Sequence, residues 1–199
     1  MTQIIITGLD KFQRYFESQP EITEQAASMA INKVAGGTGL TLLKNEIYNE
    51  INFPMGYLNS DSRLSMSKKA SPGDLSASIK ARDRATSLAS FASKGQTPRN
   101  TRGRGVRVQV AAKGSAKLLL DSWLVPLNNG NTGLAVRLKP GQRLNKHTPS
   151  KVKLAPDVFL LYGPSVDQAL GGVADLKGPE LALMMEKEFL RNVRRLNGE

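Results

Sequence analysis

Residues 160–189 read LLYGPSVDQALGGVADLKGPELALMMEKEF, and this stretch decides how the fold ends. A short apolar run from Val158 to Tyr162 stops at Gly163-Pro164-Ser165, and a second apolar pattern follows at once. Short apolar runs bounded by turn residues are typical of buried strands, and recurrence every three or four residues is typical of an amphipathic helix. The stretch therefore predicts a final strand, a short helix from Ser165 and a longer helix from Pro179 to about Leu196.

The Gly163-Pro164-Ser165 motif has three possible roles: a phosphate loop, a catalytic loop or a structural joint. A phosphate loop needs several glycines followed by Gly-Lys-Ser/Thr. A hydrolase nucleophile needs the G-x-S-x-G elbow, and this context argues against a triad of Ser165, Asp167 and His147. Glycine permits a turn, proline fixes φ, and a serine hydroxyl caps a helix. The motif thus favours a strand-to-helix joint in which Ser165 is the N-cap.

The rest of the chain predicts helices first and strands later. Pro20 opens a helix that Gly36-Gly37 should break or kink before a second helix ends near Asn52. The predicted strands are Gln3–Thr7, Arg63–Lys69, Ser76–Arg82, Val106–Val110, Lys117–Pro126 and Gly133–Leu138. Residues 10–16 fit either a short helix or an extended segment, and Thr86–Phe91 fits a single helical turn.

This order predicts an α+β fold in one domain over residues 1–199. It comprises an N-terminal helix pair, a mainly antiparallel sheet and C-terminal helices. Asn129-Gly130 predicts a hairpin turn between two strands. Two polar connections, at about 93–105 and 139–157, exceed usual lengths and predict extended basic loops.

Composition excludes several kinds of chemistry. The 199 residues include no cysteine and one histidine, His147, which excludes disulfides, thiolate sites and multi-histidine metal sites. We expect no cofactor. The sequence also shows no pair of acidic residues of the kind that acid–base catalysis uses. The apolar runs are too short to cross a bilayer, and the first residues do not resemble a signal peptide. We therefore expect a non-enzymatic protein that is made in a cytoplasm and has no membrane partner.

The positive charge lies in the middle of the chain. The formal net charge is +11 and the isoelectric point is about 10.0. Residues 63–153 hold 19 Lys and Arg against 3 Asp and Glu, a net of +16, whereas the flanks hold 9 against 14, a net of −5. Such polarity favours contact between the basic middle and an acidic partner, either protein or nucleic acid.

The densest basic cluster is RNTRGRGVR at residues 99–107. It could neutralise phosphates, but it has no interleaved aromatic residues on which bases could stack. The alternative is a solvated loop that packs on an acidic protein neighbour, which we favour over DNA. The candidate contacts to a partner or to DNA are Arg99, Arg102, Arg104, Arg107, Arg143 and Lys146.

The C-terminal helix places apolar residues on one face. That face predicts packing into the core, with a subunit interface as the alternative. The candidate interface residues are Tyr162, Pro164, Leu181, Met185 and Phe189.

Four stretches together resemble the minor tail protein Z family of tailed bacteriophages. They are INFPMGYLNSDSRLSMSKKAS (51–71), IKARDRATSLASFA (79–92), LNNGNTGLAVRL (127–138) and LYGPSVDQAL (161–170). None is a catalytic signature, so the resemblance rests on their order and joint presence between about Ala26 and Leu170. It implies fold or contact roles, without catalysis, for Arg82, Arg84, Thr86, Ser87, Leu88, Phe91, Tyr162, Gly163 and Pro164.

The resemblance also implies a function. Members are tail-completion proteins in the virion, near the head-proximal end of the tail, where they help the tail join the head. The expected partners are other tail and neck proteins and further copies of the chain in a ring, with a hexamer favoured by the symmetry of tails. The alternative is a DNA-binding protein that uses the basic middle segment.

Overall fold

The computed structural model describes residues 3–5, 17–142 and 151–198. Helices and antiparallel sheets are both present, which confirms the predicted α+β class. Contacts within the chain divide it into two compact units. Unit 1 comprises Met1–Ile47, Leu58–Arg82 and Leu170–Glu199, and unit 2 comprises Tyr48–Tyr57 and Asp83–Ala169. The sequence predicted one domain, whereas the structure has two compact units, each assembled from separate parts of the chain.

Four α-helices lie in the described residues: α1 (Pro20–Lys33), α2 (Gly39–Glu50), α3 (Pro98–Thr101) and α4 (Val166–Leu196). Short 3₁₀ turns cover Tyr57–Asn59 and Leu88–Phe91. Pro20 begins α1, where its missing N–H breaks no helical bond. The predicted break at Gly36-Gly37 is a π-helical turn, Val34–Thr38, that joins α1 to α2. A Cβ at Gly36 would lie 2.9 Å from the Met66 methyl carbon, so glycine permits that close approach.

Within the part of the chain that the structure describes, nine strands form three antiparallel sheets. In unit 1, β1 (Gln3–Ile5), β3 (Ser78–Ala81) and β2 (Leu64–Lys68) pair in that order. In unit 2, β4 (Val106–Val108) pairs with β5 (Lys117–Leu119). A four-stranded sheet has the order β6-β7-β9-β8, with β6 at Ser122–Pro126, β7 at Thr132–Arg137, β8 at Lys151–Ala155 and β9 at Val158–Leu161.

The strand predictions were right in the hairpin and wrong at two other places. The turn at Asn128–Asn131 joins β6 to β7, with the Leu127 N–H donating to the Asn131 carbonyl at 2.8 Å. The single strand predicted over 117–126 is two strands, because the chain turns at Asp121, whose φ is 56°. The loop predicted over 139–157 contains β8, since Lys151–Ala155 pairs with β9.

The C-terminal prediction of two helices was also wrong. The helix α4 runs without interruption through Gly178 and Pro179. Proline inside a helix removes one hydrogen bond and crowds the preceding turn. Val173 and Leu181, on either side of Pro179, are both buried. Burial of both flanking segments therefore outweighs the local penalty.

The core of unit 1 forms where α1 packs against the last turns of α4. Three alanines of α1, Ala26, Ala27 and Ala30, are buried with Phe189 and Val193 of α4. Small side chains on one helix let the other approach closely enough for its phenyl ring to fill the space. The Asn192 side-chain amide donates to the Ala26 carbonyl at 3.3 Å, which fixes this approach.

The core of unit 2 lies on one face of the four-stranded sheet. It contains Val106 and Val108 of β4, Leu124 of β6, Leu134 of β7 and Leu161 of β9. Their alternation along each strand places apolar side chains inward on every second residue.

Candidate functional site

The joint at Tyr162–Pro164 is paired with a segment that precedes it by about eighty residues in sequence. The Gly163 N–H donates to the Thr86 carbonyl at 2.7 Å, and the Thr86 N–H donates to the Pro164 carbonyl at 3.4 Å. Ser87 and Tyr162 form an isolated antiparallel bridge. The joint is therefore held by backbone bonds on both sides of the glycine.

Gly163 also rests against an aromatic group. A Cβ at this position would lie 2.9 Å from Cε2 of Phe91, a ring that is 2% exposed. The Phe91 ring lies 5.5 Å from that of Phe53, and Phe53 stacks on Tyr57 at 5.0 Å. Any larger side chain at Gly163 must displace this packed group.

All four stretches on which the resemblance rests contribute residues to the contacts around Gly163 in unit 2. The Tyr57 hydroxyl and the Thr86 hydroxyl are 3.1 Å apart, and the Ser87 hydroxyl donates to the Thr132 carbonyl at 3.3 Å. We call this group the joint cluster: Phe53, Tyr57, Thr86, Ser87, Phe91, Thr132, Tyr162, Gly163 and Pro164. Its members meet through backbone bonds, hydroxyl bonds and ring packing.

The Ser165 hydroxyl caps α4, as the sequence predicted. The Gln168 N–H donates to Ser165 Oγ at 3.0 Å, and the Ser165 N–H donates to the Gln168 side-chain carbonyl at 3.0 Å. This reciprocal pair is a capping box. Ser165 is 3% exposed. A hydroxyl that is buried and committed to a helix terminus is poorly placed for nucleophilic attack, and His147 lies outside the described residues.

The candidate interface residues divide between two environments. Leu181, Met185 and Phe189 are buried, at 4%, 4% and 0% exposure. In this structure they offer no surface to another chain, and their burial agrees with the predicted core-facing helix, whose alternative was a subunit interface. Tyr162 and Pro164 are half-buried members of the joint cluster.

The basic segment at 95–107 is tied to β4 and begins with a capped helical turn. The Gln96 side-chain amide donates to the Arg107 carbonyl at 2.8 Å and accepts from the Arg107 N–H at 2.8 Å. Thr97 and Asn100 form a capping box at α3. The Thr101 hydroxyl, whose residue is 2% exposed, accepts from the Leu124 N–H at 3.1 Å. Backbone bonds and caps therefore fix the path of this segment.

The arginines of this segment all point to solvent. Arg99, Arg102, Arg104 and Arg107 are exposed. Arg143 and Lys146, the other two predicted contacts, lie outside the described residues. Exposure of the four arginines is compatible with contact to either an acidic protein or phosphates.

An open cleft of about 480 Å³ adjoins Arg102. Its charged lining consists of Arg102, Arg137 and Lys139 against Asp121 and Asp157. Lys139 Nζ lies 3.3 Å from Asp121 Oδ2, an exposed pair of small energetic value. Three cations against two carboxylates leave the cleft nearly neutral, which is unlike a groove built for a polyanion.

The cleft also contains Trp123, which the sequence analysis did not select. The guanidinium carbon of Arg137 lies 5.8 Å from the centre of the Trp123 ring, within cation–π range. The signal was available, because the Asn-Gly hairpin sets Trp123 opposite Ala135 and so brings Arg137 beside the ring. Trp123 is half-buried, and tryptophan and arginine are both enriched at protein interfaces.

The described residues contain no group of three or more His, Asp or Glu side chains placed to hold a metal ion. In the same residues, no helix has both the length and the apolar character needed to span a membrane. Protein-family models, curated proteins and solved structures give no match to this chain.

Proposed function

We propose that this chain is a non-enzymatic structural protein in the tail of a bacteriophage. It acts as a tail-completion or neck protein at the head-proximal end, where it supports joining of the tail to the head. The observation that carries the proposal is the joint cluster: the four stretches on which the resemblance rests contact one another in unit 2. Positions scattered through a sequence that resemble one family and also pack together have the arrangement expected of a shared fold.

The chemistry of the cluster supports a structural role over a catalytic one. The Tyr57 and Thr86 hydroxyls bond to each other, and the Ser87 hydroxyl donates to a backbone carbonyl. Ser165, which follows the cluster in sequence, caps a helix. No described residue of the cluster is a carboxylate, a histidine or a lysine. Within the cluster, the side chains of a type used in acid–base catalysis are Tyr57 and Tyr162, and the Tyr57 hydroxyl is bonded to that of Thr86. A group of this composition favours a role in fixing the shape of a surface.

The proposed partners are other tail and neck proteins and further copies of this chain. A ring, with a hexamer favoured, follows from the closed symmetry of most homo-oligomers and from the symmetry of tails. Exposed arginines in unit 2 supply contacts for acidic surfaces of neighbours.

The test begins with purified virions of a phage that encodes this chain. Quantitative mass spectrometry should find a small multiple of three or six copies per particle. Deletion of the coding sequence should yield full heads and unjoined tails in electron micrographs, and the intact chain supplied in trans should restore joining. Absence from mature particles would contradict the proposal and indicate a factor that acts before completion.

The second candidate function is DNA binding, and one observation favours it. The four exposed arginines at 99–107 lie on a segment whose backbone is fixed, which suits contact with phosphates. A gel shift with duplex DNA at low and at physiological salt tests this function. Retention at physiological salt, lost when Arg99, Arg102 and Arg104 are changed to Ser, would support it. Loss of the wild-type shift at physiological salt would leave only non-specific attraction.

A further inference from the structure

Three leucines recur at intervals of seven residues along α4. They are Leu176, Leu183 and Leu190, and the helix is continuous through all three. Leu176 is 65% exposed and Leu183 is 58% exposed, whereas Leu190 is half-buried against the core of unit 1. Side chains seven residues apart lie on the same face of a helix, so these leucines form one row along α4. We call them the leucine row.

The leucine row lies on the side of α4 opposite its buried face. That buried face consists of Leu181, Met185 and Phe189, which belong to the interior of unit 1. Single exposed leucines are ordinary on a protein surface, whereas leucines at heptad spacing are the pattern by which one helix packs along another. The fold of unit 1 therefore uses one face of α4 and leaves a second apolar row directed to solvent.

The charge of α4 changes sign at Leu183, and this change selects the partner. Residues 166–182 hold one Lys against three Asp and Glu, a net of −2, and residues 183–196 hold four Lys and Arg against two Glu, a net of +2. A parallel second copy would place Glu180 against Glu180 and Lys187 against Lys187, which is repulsive. An antiparallel copy would place the acidic half of each helix against the basic half of the other. Charge complementarity thus favours an antiparallel second copy.

We propose that two copies of this chain associate through the leucine row, with their α4 helices antiparallel about a two-fold axis at Leu183. Leu183 then packs on the second copy's Leu183, and Leu176 packs on the second copy's Leu190. Such a contact closes on itself, so it is distinct from the head-to-tail contacts that build a ring. The inference goes beyond the proposed virion role and does not depend on it.

The same register brings Glu180 beside the second copy's Lys187. Glu180 is three residues before Leu183 and Lys187 is four residues after it, so their levels differ by one residue, about 1.5 Å, along the helix axis. The two residues are also a heptad apart, and therefore lie on the same side of the row, where the two-fold axis brings them together. Glu180 lies 3.2 Å from Lys177, but Lys177 also pairs with Glu46 at 3.0 Å and keeps that partner when Glu180 turns. Each dimer then contains two pairs between Glu180 and Lys187.

Sedimentation equilibrium of the full chain over a range of concentrations measures the association. Wild type should form dimers, and more weakly at high salt because the charge pairs are exposed. Leu183→Lys should raise the dimer Kd about a hundredfold, since both copies lose a buried leucine. Leu120→Lys, at a leucine of unit 2 that is 69% exposed, is the matched control and should leave the Kd unchanged. At concentrations too low for association, both variants should unfold at the wild-type midpoint, because both leucines face solvent in the single chain.

Charge reversal tests the antiparallel arrangement. Glu180→Lys and Lys187→Glu should each raise the Kd about tenfold, because each variant places like charges together twice in the dimer. Both changes combined in one chain should restore the wild-type Kd, since each glutamate again meets a lysine. In a parallel pair, either single variant would keep the like-charge contacts of wild type, and its Kd would not rise.

Engineered disulfides test the position of the axis, because the chain has no cysteine of its own. Leu183→Cys should crosslink to its counterpart on oxidation, since residue 183 lies at the axis in both copies. Leu176→Cys should not, because the two copies of residue 176 are separated by twice seven residues, about 21 Å, along the helices, which is too far for a disulfide.

Four results would overturn the inference. These are a wild-type chain that is monomeric at every concentration, an unchanged Kd in Leu183→Lys, an unchanged Kd in both charge reversals, and self-crosslinking of Leu176→Cys. The first would leave the leucine row as a face for a different protein, and the last would indicate parallel helices. None of these outcomes bears on whether the chain is found in virions.

Discussion

The two units differ most in charge. Unit 1 holds 14 Lys and Arg against 12 Asp and Glu, a net of +2, whereas unit 2 holds 14 against 5, a net of +9, and together they give +11. The chain read in order suggested a stronger polarity, +16 in the middle and −5 at the flanks. Folding reduces it, because β2 and β3 bring part of the basic middle into unit 1. The net charge of each compact unit therefore cannot be read from a continuous segment of the sequence, because each unit combines separate segments.

The units also differ in how they are held together. Unit 1 depends on a phenyl ring of α4 that fills space against alanines of α1. Unit 2 depends on a sheet whose core face is covered by β4, and on the joint cluster. We therefore expect single substitutions to cost most where one large side chain fills a core and least where charges face solvent.

The largest effect should come from unit 1. Phe189→Ala removes a fully buried ring and leaves a cavity against Ala26 and Ala30, which should lower the free energy of unfolding by about 3–5 kcal/mol. Chemical denaturation of the full chain measures the change. Leu183→Ala, at an exposed position of the same helix, should stay within about 0.5 kcal/mol. Equal losses in both variants would show that the packing of α1 on α4 is not the main support of unit 1.

The next largest change in stability is expected in unit 2, and its control variant should change stability in the opposite direction. Gly163→Ala should lower the free energy of unfolding by roughly 1–3 kcal/mol, because the new methyl group meets the Phe91 ring. Gly172→Ala, in α4 with no neighbour within 4 Å, should raise it by about 0.5–1 kcal/mol through helix propensity. Thermal unfolding of the two variants side by side checks the signs. If Gly163→Ala leaves the free energy of unfolding unchanged, the joint cluster rearranges to accommodate one methyl group.

A smaller effect compares the same hydrogen-bonding device in both units. In unit 1 the Asn32 side-chain amide bonds both the N–H and the carbonyl of buried Ala70, each at 2.8 Å. In unit 2 Gln96 does the same to exposed Arg107. Asn32→Ala should lower the free energy of unfolding by about 2 kcal/mol, because it leaves the buried polar groups of Ala70 without partners. Gln96→Ala should lower it by less than about 1 kcal/mol, because water replaces the lost hydrogen bonds. Denaturant midpoints measure both, and a larger loss in Gln96→Ala would reverse the comparison.

The smallest effect is electrostatic and depends on pH. The Lys68 ammonium, 2.7 Å from Asp74 Oδ2, and the Ser76 hydroxyl hold the pKa of Asp74 below its ordinary value of 3.8. A depressed carboxyl pKa stabilises the folded state above the unfolded pKa, and this contribution disappears as the pH falls through the folded pKa. Asp74→Asn should therefore be slightly less stable than wild type at neutral pH and equal to it in strong acid. Phe189→Ala, by contrast, should lose the same free energy of unfolding at neutral pH and in strong acid. A loss of stability in Asp74→Asn that persists in strong acid would rule out an ionic origin.

Local chemistry in the sequence was enough to predict several parts of the fold. The Asn-Gly turn fixed the β6–β7 hairpin, and the Ser165 cap followed from residue types that act within one helical turn. The run over 158–162 predicted β9 because a short apolar stretch bounded by turns has few alternatives.

The parts that the sequence could not predict depend on distant contacts. Pro179 stays inside α4 because both flanking segments are buried, which no local pattern records. The strand β8 lies in what reads as a basic loop, and only its pairing with β9 makes it a strand. The hairpin explains why Trp123 meets Arg137, but the cleft also needs Arg102 and Asp157, which come from other parts of the chain. The joint cluster likewise unites residues that are far apart in sequence.

The bonds between Gln96 and Arg107, with the Thr97 cap, have a thermodynamic consequence for recognition. They close residues 96–107 into a small ring of chain whose backbone is already ordered before any partner arrives. If a partner contacts Arg99, Arg102 and Arg104, as proposed above, only the rotamer freedom of their side chains is lost on binding. The larger entropic penalty of ordering the backbone is met during folding. The four arginines of this segment therefore stand on a backbone that needs no further ordering to make contacts.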